Sequence, residues 1–519
     1  MKFDKVLVIL LIFAFIIRAL IIFVPTFLIN TNFLVSHSIT LDDALIGFKI
    51  AKNIYRGFGL SFDNIEQTNA TPLTWTYMLS LFGFLDNESF ILFALVLCSI
   101  FFVLSGYFIY RICIQVFGER ELGLIVVFLY LFNPFFILIS LNGLETALFA
   151  FFLLFSLFYY LSKIRVDRTS KINLLVLAIL LSLTILTRDN GIYFLFAIII
   201  DYLFIFQKIK IKEKMQNLFF MLILFAVFTL PLFLWRYLVF GHFISSSAYY
   251  YHHLFAKDWV EDITSALLRR TLVFLMTISV MSFMIGNIIL SFLGFFISKK
   301  FTKYFTIFSP LIIFSLFEIL HYSIIMPILK LRYIFTSTII FVIGLGIMFF
   351  YIKKYISKAL FYTAFLMLFL ILSYFTLTTW TGYSDIGDSE IRVGILLNKH
   401  VINAAKFIEN KFPNSKIGAS HIGTFAYFSP STIISDRNGK ISYEATDYNI
   451  NGNTYEYFKK RGVEYIAGFI SPENFKKVEE SDIIFSEPIR ERWQLKFNHI
   501  FGYYVVVKFK KEYLKLVGL

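Results

Sequence analysis

The chain has 519 residues, of which 58% are hydrophobic and 20% aromatic, with 67 Phe and a mean hydropathy of +0.75. These values lie outside the range of soluble globular domains and describe a polytopic membrane protein. The net charge of +14 is spread in short basic clusters between apolar runs, with no basic stripe of interleaved exposed aromatics, so topology accounts for it and no nucleic-acid partner is expected.

The opening Met1-Lys2-Phe3-Asp4-Lys5 precedes an apolar run from about residue 6 to 28. This run is too long for a signal-peptide core and lacks a small-residue cleavage site, so it is expected to stay as the first membrane helix. Taking roughly 20 apolar residues per span, helices are predicted near 5–28, 89–112, 122–141, 144–162, 172–189, 190–206, 215–235, 271–297, 305–326, 333–352 and 359–379, about eleven in all. Cys98 and Cys113 are the two cysteines, one within a span and one at its edge, so no disulfide or thiolate zinc cluster is expected outside the membrane.

Alternate loops hold the basic clusters: Arg111 and Arg120; Lys163, Arg165, Arg168 and Lys171; Lys208, Lys210, Lys212 and Lys214; Lys299, Lys300 and Lys303; Lys353, Lys354 and Lys358. These mark the cytoplasmic side. Because both flanks of 172–206 are basic, that region is read as two spans joined by a tight hairpin at Arg188-Asp189-Asn190-Gly191. An odd number of spans then places the loop 29–88, the Gly143-Leu144-Glu145 turn, the loop 236–269, the Lys330-Leu331-Arg332 turn and the C-terminal region outside. The apolar stretch opened by Thr71-Pro72-Leu73-Thr74-Trp75 is short for a span and is read as a helix at the outer surface; if residues 71–86 crossed, the parity would change.

In the first external loop, Leu41, Ala44, Leu45, Phe48, Ala51 and Tyr55 recur at helical spacing, with Lys49, Lys52, Asn53 and Arg56 on other faces and Gly57 and Gly59 at the end. This predicts an amphipathic helix lying on the membrane surface. Thr40 as N-cap with Asp43 three residues on would close a capping box, which by itself accounts for Asp42 and Asp43 at the positive end of a helix dipole.

From about residue 380 the composition turns polar. Helices are predicted at 400–412 and 455–461 and strands at 415–420, 432–435 and 463–469, a small α/β domain. The expected division is a transmembrane domain over 1–379 and an extracytoplasmic α/β domain over 380–519.

The run Asp42-Asp43-Ala44 through Asn53, Gly57, Gly59-Leu60 and Phe62 resembles the first extracytoplasmic loop of polyprenyl-phosphate-sugar-dependent glycosyltransferases of the GT-C type, in their arabinofuranosyltransferase-like and mannosyltransferase-like branches. Gly143-Leu144-Glu145-Thr146-Ala147 is similar to a segment of the same branch; its plain alternative is an interfacial acid capping a membrane helix. Thr187-Arg188-Asp189-Asn190-Gly191 parallels the family's Thr-Arg-Pro-acid-Gly turn, with Asp189 in place of the proline and Asn190 in place of the acid. Trp235-Arg236-Tyr237-Leu238-Val239-Phe240-Gly241 resembles the start of its large external loop, and also reads as an interfacial Trp and Arg belt. Lys330-Leu331-Arg332-Tyr333 matches its Arg-aromatic element. In the C-terminal region, Gly423, Tyr427 and Ser429 fit the family pattern, but His421 stands where an Asp is usual.

The resemblance implies an inverting transfer of a hexosyl or pentosyl group from a polyprenyl-phosphate donor to a hydroxyl of a cell-envelope glycan, lipid or protein, in the cytoplasmic (inner) membrane with the active site on its extracytoplasmic side. Asp42 would be the general base, Asp43 would position a substrate, and Glu145 would be a secondary acid. Arg188, Arg236 or Arg332 would hold the lipid phosphate, since a guanidinium engages two phosphate oxygens at once. Lys52 and Tyr427 would lie on the acceptor side. No cofactor is implied with certainty; a divalent cation is a candidate, with His242, His252, His253, Glu318 and His321 as possible ligands at no defined metal spacing. The competing class is a transporter, flippase or binding protein for lipid-linked sugars, against which stand the lack of an inverted repeat and the C-terminal domain. No Walker A motif, Gly-x-Gly-x-x-Gly, His-Glu-x-x-His or nucleophile elbow occurs.

Overall fold

The computed structural model describes residues 4–28, 42–70, 72–166, 169–261, 263–285, 301–327, 331–353, 355–357, 360, 363, 366–367, 370, 390–419, 421–437, 439–489 and 502–519. The predicted N-cap Thr40, Lys330, the C-terminal end of the predicted span 271–297 and most of the span 359–379 lie outside the described residues. The chain forms two compact units, both discontinuous in sequence: one takes in residues 1–25, 95–241 and 258–389, the other 26–94, 242–257 and 390–519.

The first unit is helical, and its apolar runs dictate its elements. Among the described residues, five helices are long and apolar enough to cross a membrane: Lys5–Phe23, Asn87–Phe117, Thr146–Ile164, Ile211–Phe240 and Tyr304–Ile325. Arg120–Phe132 and Pro134–Ser140 make a sixth if the pair, bent by 56°, is one span. The bend has a local cause: Pro134 cannot continue the preceding helix, and the Asn133 side chain instead accepts a hydrogen bond from the Phe135 amide and starts a new one. Helices Lys171–Thr187 and Gly191–Ile200 flank Arg188-Asp189-Asn190, the break predicted there, and Thr338–Ile352 is a further apolar helix.

Several buried charged groups inside this unit meet polar or aromatic partners, which offsets the cost of an apolar setting. Asp201 accepts hydrogen bonds from Tyr160 at 2.5 Å and from Ser309, and lies 3.4 Å from Arg165. Arg18, fully buried in the first helix, donates to Ser140 at 2.5 Å and sits 4.0 Å above the Phe102 ring. Cys98 and Cys113 are both buried free thiols on one helix.

The second unit is built on a five-stranded sheet: β1 (Lys416–Ala419), β2 (Ile433–Asp436), β3 (Tyr465–Ile470), β4 (Ile483–Pro488) and β5 (Tyr503–Lys508), in the order β2-β1-β3-β5-β4. β1 runs parallel to β2 and β3, while β5 pairs antiparallel with β3 and β4. Phe458, Ile466, Val505 and Val507 are part of its core. Gly418 on β1 is required there, since a Cβ would stand 2.6 Å from the Phe458 ring. The predicted helices appear as Glu390–Lys411 and Thr454–Lys460; Ile422–Phe428, Tyr443–Ile450 and Lys511–Leu516 are additional.

Helix Asp42–Tyr55 belongs to this unit and corrects one expectation. It does not present a solvated polar face: residues 44–53 are all buried, including Lys49, Lys52 and Asn53. Its polar side chains meet partners from elsewhere in the unit. Lys49 Nζ donates to the Pro430 carbonyl at 2.9 Å, Lys52 Nζ to Asn87 Oδ1 at 2.6 Å, and Asn53 Nδ2 to the Ser61 and Phe62 carbonyls. The helix therefore packs inside a folded unit and against Ile422–Phe428 and Leu73–Ser80. Gly57 and Gly59, with φ of +89° and +69°, end it as predicted.

Candidate active site

The acid pair sits at the start of its helix, with partners from the far end of the chain. Asp42 Oδ1 accepts two hydrogen bonds from Thr424, from the amide at 2.7 Å and from the hydroxyl at 2.9 Å. Among the described residues Oδ2 has no hydrogen-bond partner, so one oxygen is held while the other keeps its lone pairs. Gly423 makes this approach possible, because a Cβ there would lie 1.9 Å from the Asp42 carbonyl oxygen. Asp43 pairs with Lys440, Nζ to Oδ1 2.6 Å, with side chains 24% and 18% exposed.

These charges act on one another. Burial pulls the Lys440 ammonium down, but Asp43, with Tyr251 and Asp42, outweighs it and holds Lys440 above the ordinary lysine range. Burial likewise lowers the His421 imidazole; Lys440 adds to that, while Asp42 and Asp43 oppose it. The net direction for His421 is down, which favours the neutral ring at neutral pH. Its ring packs edge-on to Phe469 at 5.2 Å.

At the far end of the same helix, Lys52 lies 5.6 Å from the Phe90 ring centre and 5.7 Å from that of Tyr427. Tyr427 is buried and its hydroxyl donates to the Asn87 carbonyl at 2.9 Å, so it supports Lys52 from behind.

In the helical unit the predicted residues gather around the break at Arg188-Asp189-Asn190. Arg188 Nε lies 3.5 Å from Glu145 Oε1, and its Nη1 donates to the Arg332 carbonyl at 3.1 Å. The Arg188 and Arg332 guanidiniums each lie 5.2 Å from the centre of the Tyr333 ring, so one aromatic ring carries two cations. Arg236 joins the same turn through Asp189, at 3.2 Å. Glu145 is positioned by the turn before helix Thr146–Tyr159, where Gly143 has φ +80° and Asn142 Oδ1 accepts the Leu144 amide.

The metal candidates find other roles. Glu318 accepts from Asn190 Nδ2 at 2.6 Å, from the Thr336 hydroxyl at 3.0 Å and from both the amide and the hydroxyl of Ser337. This buried carboxylate is saturated with donors and serves as a post for the 188–190 turn. His321 Nδ1 lies 2.8 Å from the Tyr193 hydroxyl. His253 Nδ1 lies 3.0 Å from the Tyr249 carbonyl, and His242 stacks on Tyr443 at 4.5 Å; His252 is shifted down by burial, then by His253. Among the described residues no three His, Cys, Asp or Glu side chains come together as a metal-ligand set.

Thr424 and Lys440 are not among the residues the sequence marks as site candidates. Gly423 fits the family pattern beside His421, yet nothing local shows that 423–424 and 440 return to residues 42–43.

Residues 70–235 match the family model described as dolichyl-phosphate-mannose-protein mannosyltransferase. No curated protein matches the sequence. Among solved structures, the archaeal oligosaccharyltransferase AglB from Archaeoglobus fulgidus, in complex with an inhibitory peptide and a dolichol-phosphate, has 12% identity and a TM-score of 0.55, covering 99% of this chain and 77% of its own. The A. fulgidus oligosaccharyltransferase tethered to an acceptor peptide has 13% identity and a TM-score of 0.56, covering 91% of this chain and 70% of its own. ArnT from Cupriavidus metallidurans in the apo state has 12% identity and a TM-score of 0.55, covering 96% of this chain and 97% of its own. At such identities the likeness to the solved structures is one of fold. The expected GT-C type of fold is thus borne out, and residues 70–235 are similar to the dolichyl-phosphate-mannose-protein mannosyltransferase model.

Proposed function

We propose that the chain is an inverting membrane glycosyltransferase that moves a hexosyl or pentosyl group from a polyprenyl-phosphate donor to a hydroxyl of a glycan, lipid or protein. The observation that carries this is the half-satisfied Asp42: Thr424 fixes Oδ1 and leaves Oδ2 to accept a proton. The acceptor hydroxyl gives its proton to Asp42 as its oxygen bonds to the anomeric carbon. The bond from that carbon to the phosphate oxygen breaks in the same displacement, and the electron pair leaves with the lipid phosphate.

Arg188 and Arg332 stabilise the departing phosphate. Two cations stationed on one ring offer planar donors whose charge does not depend on pH. Glu145 orients Arg188, Arg236 is held on the same turn by Asp189, and Lys440 fixes Asp43 so that it positions substrate. Lys52, with Tyr427 behind it, serves the acceptor side. The basic loop clusters read from the sequence support placing the acid pair and the C-terminal region on the extracytoplasmic side of the cytoplasmic (inner) membrane.

The test is sugar transfer by membranes containing the wild-type chain, Asp42→Asn or Asp43→Asn at equal expression, offered a panel of polyprenyl-phosphate sugars. Transfer by wild type and its loss in Asp42→Asn support the reading. Undiminished transfer by Asp42→Asn would reduce the acid pair to a helix cap.

A further inference from the structure

Where helix Asp42–Tyr55 ends, the second unit opens into a cleft of about 680 Å³ whose lining includes Lys52, Arg56, Lys406, Tyr55, Phe84 and Asn87. Three cations thus face two acids, Asp86 and Glu88. Asp86 is already committed: its Oδ1 accepts the Glu88 and Ser89 amides and starts the helix that follows. Lys52 is 4% exposed and its ammonium is met by the neutral Asn87 amide oxygen and by aromatic faces rather than by a carboxylate. Burial, with Arg56 beside it, pulls Lys52 down to about 8, and Asp86 only partly offsets this. Arg56 likewise forms no ion pair with a carboxylate among the described residues.

The wall of the cleft is apolar and exposed. Phe84 is 62% and Tyr55 52% exposed, and Leu81, on the same turn as Phe84, is 71% exposed. Gly83 allows this turn to sit against Tyr55, since a Cβ would lie 2.3 Å from Tyr55 Cβ. A water-soluble anion needs no such wall. Cations at the floor with bare aromatic and aliphatic side chains beside them match an amphiphile whose phosphate is joined to hydrocarbon.

We propose that this cleft binds the phosphate of an anionic lipid headgroup, held by Lys52, Arg56 and Lys406 with the acyl part against Phe84 and Tyr55. It deepens the acceptor side of the reading above and rests on that reading for its role; headgroup binding itself needs neither Asp42 nor transfer. Cleft and acid pair lie at opposite ends of one helix, ten residues or about 15 Å apart, so a lipid seated here leaves Asp42 uncovered.

The experiment is calorimetric titration of the detergent-purified full chain with dihexanoyl-phosphatidylglycerol, with inorganic phosphate and with a soluble uronic-acid disaccharide. Wild type is expected to bind the lipid at least tenfold more tightly than either soluble anion. Arg56→Gln with Lys406→Gln, both exposed positions, is expected to weaken lipid binding tenfold or more at unchanged melting temperature, and Phe84→Ala to weaken it severalfold. Asp42→Asn is expected to bind the lipid like wild type, which separates this proposal from the transfer reading. Lipid binding that survives the double substitution, lack of binding by wild type, or equal or tighter binding of phosphate or the disaccharide would each overturn it.

Discussion

The two units solve opposite electrostatic problems with the same few residue types. Around Asp42 and Asp43 the acids are the proposed working groups: Thr424 donates twice to a single oxygen of Asp42, and Lys440 meets Asp43. Around Arg188 the cations are the proposed working groups, and the acids hold them in place. Glu145 and Asp189 each steady one arginine, while Glu318 is consumed by Asn190, Thr336 and Ser337. A carboxylate acts as a base when one oxygen is left without a donor, and as a scaffold when every lone pair is filled. Count of donors, together with the deeper burial of Glu318, separates Asp42 from Glu318.

That contrast is most sharply tested by Asp42→Asn, which keeps the shape and removes the base. Transfer is expected to fall by about 10³-fold, in the range of general-base catalysis, at unchanged melting temperature. Glu318→Gln should do the reverse: a loss of stability on the order of 2 kcal/mol, from a donor network left mismatched, read by thermal unfolding in detergent. Next in size, Arg188→Lys is expected to lower kcat about 10²-fold despite the retained charge, because an ammonium lacks the planar fork. Equal activity of the lysine variant would place the phosphate elsewhere.

Gly423→Ala brings a Cβ against the Asp42 backbone and is expected to cost about 1–3 kcal/mol together with a severalfold loss of transfer, since the helix carrying Thr424 must retreat. The smallest effect concerns His421. Its folded pKa is lowered, so below the unfolded value near 6.5 the unfolded chain binds more protons, and stability rises with pH across that window. The stability it supports is therefore present above about pH 6.5 and is lost as pH falls. His421→Gln should flatten that part of a melting-temperature profile, and an unchanged slope would remove His421 from the charge cluster.

Much of the helical unit was legible because apolar runs and breakers are local signals. The break at Arg188-Asp189-Asn190 followed from two basic flanks, and in the other unit Gly57 and Gly59 marked the end of the Asp42–Tyr55 helix, where they take the left-handed φ that glycine tolerates. The polar side of that helix was not legible. Helical periodicity sets Lys49 and Asn53 off the face of Phe48 and puts Lys52, four residues on, beside it, but it cannot distinguish water from a carbonyl as their partner, and the partners Pro430 and Asn87 come from elsewhere in the chain. β5 went unread for a similar reason: Tyr503 to Val507 is a continuous apolar run, without the alternation that marks a half-buried strand. At the site, the acid pair and the arginines were found by resemblance, whereas Thr424 and Lys440 are ordinary residues made functional only by closure of the chain.

That closure fixes a moment in the life of the protein. The contact of Asp43 with Lys440 spans 397 residues, so on the ribosome the acid pair emerges about 20–80 s before its partners at ordinary elongation speeds. Most of the helical unit is synthesised in that interval. Until then the nascent chain carries its acids without Thr424 and Lys440, and both contacts must wait for the C-terminal residues.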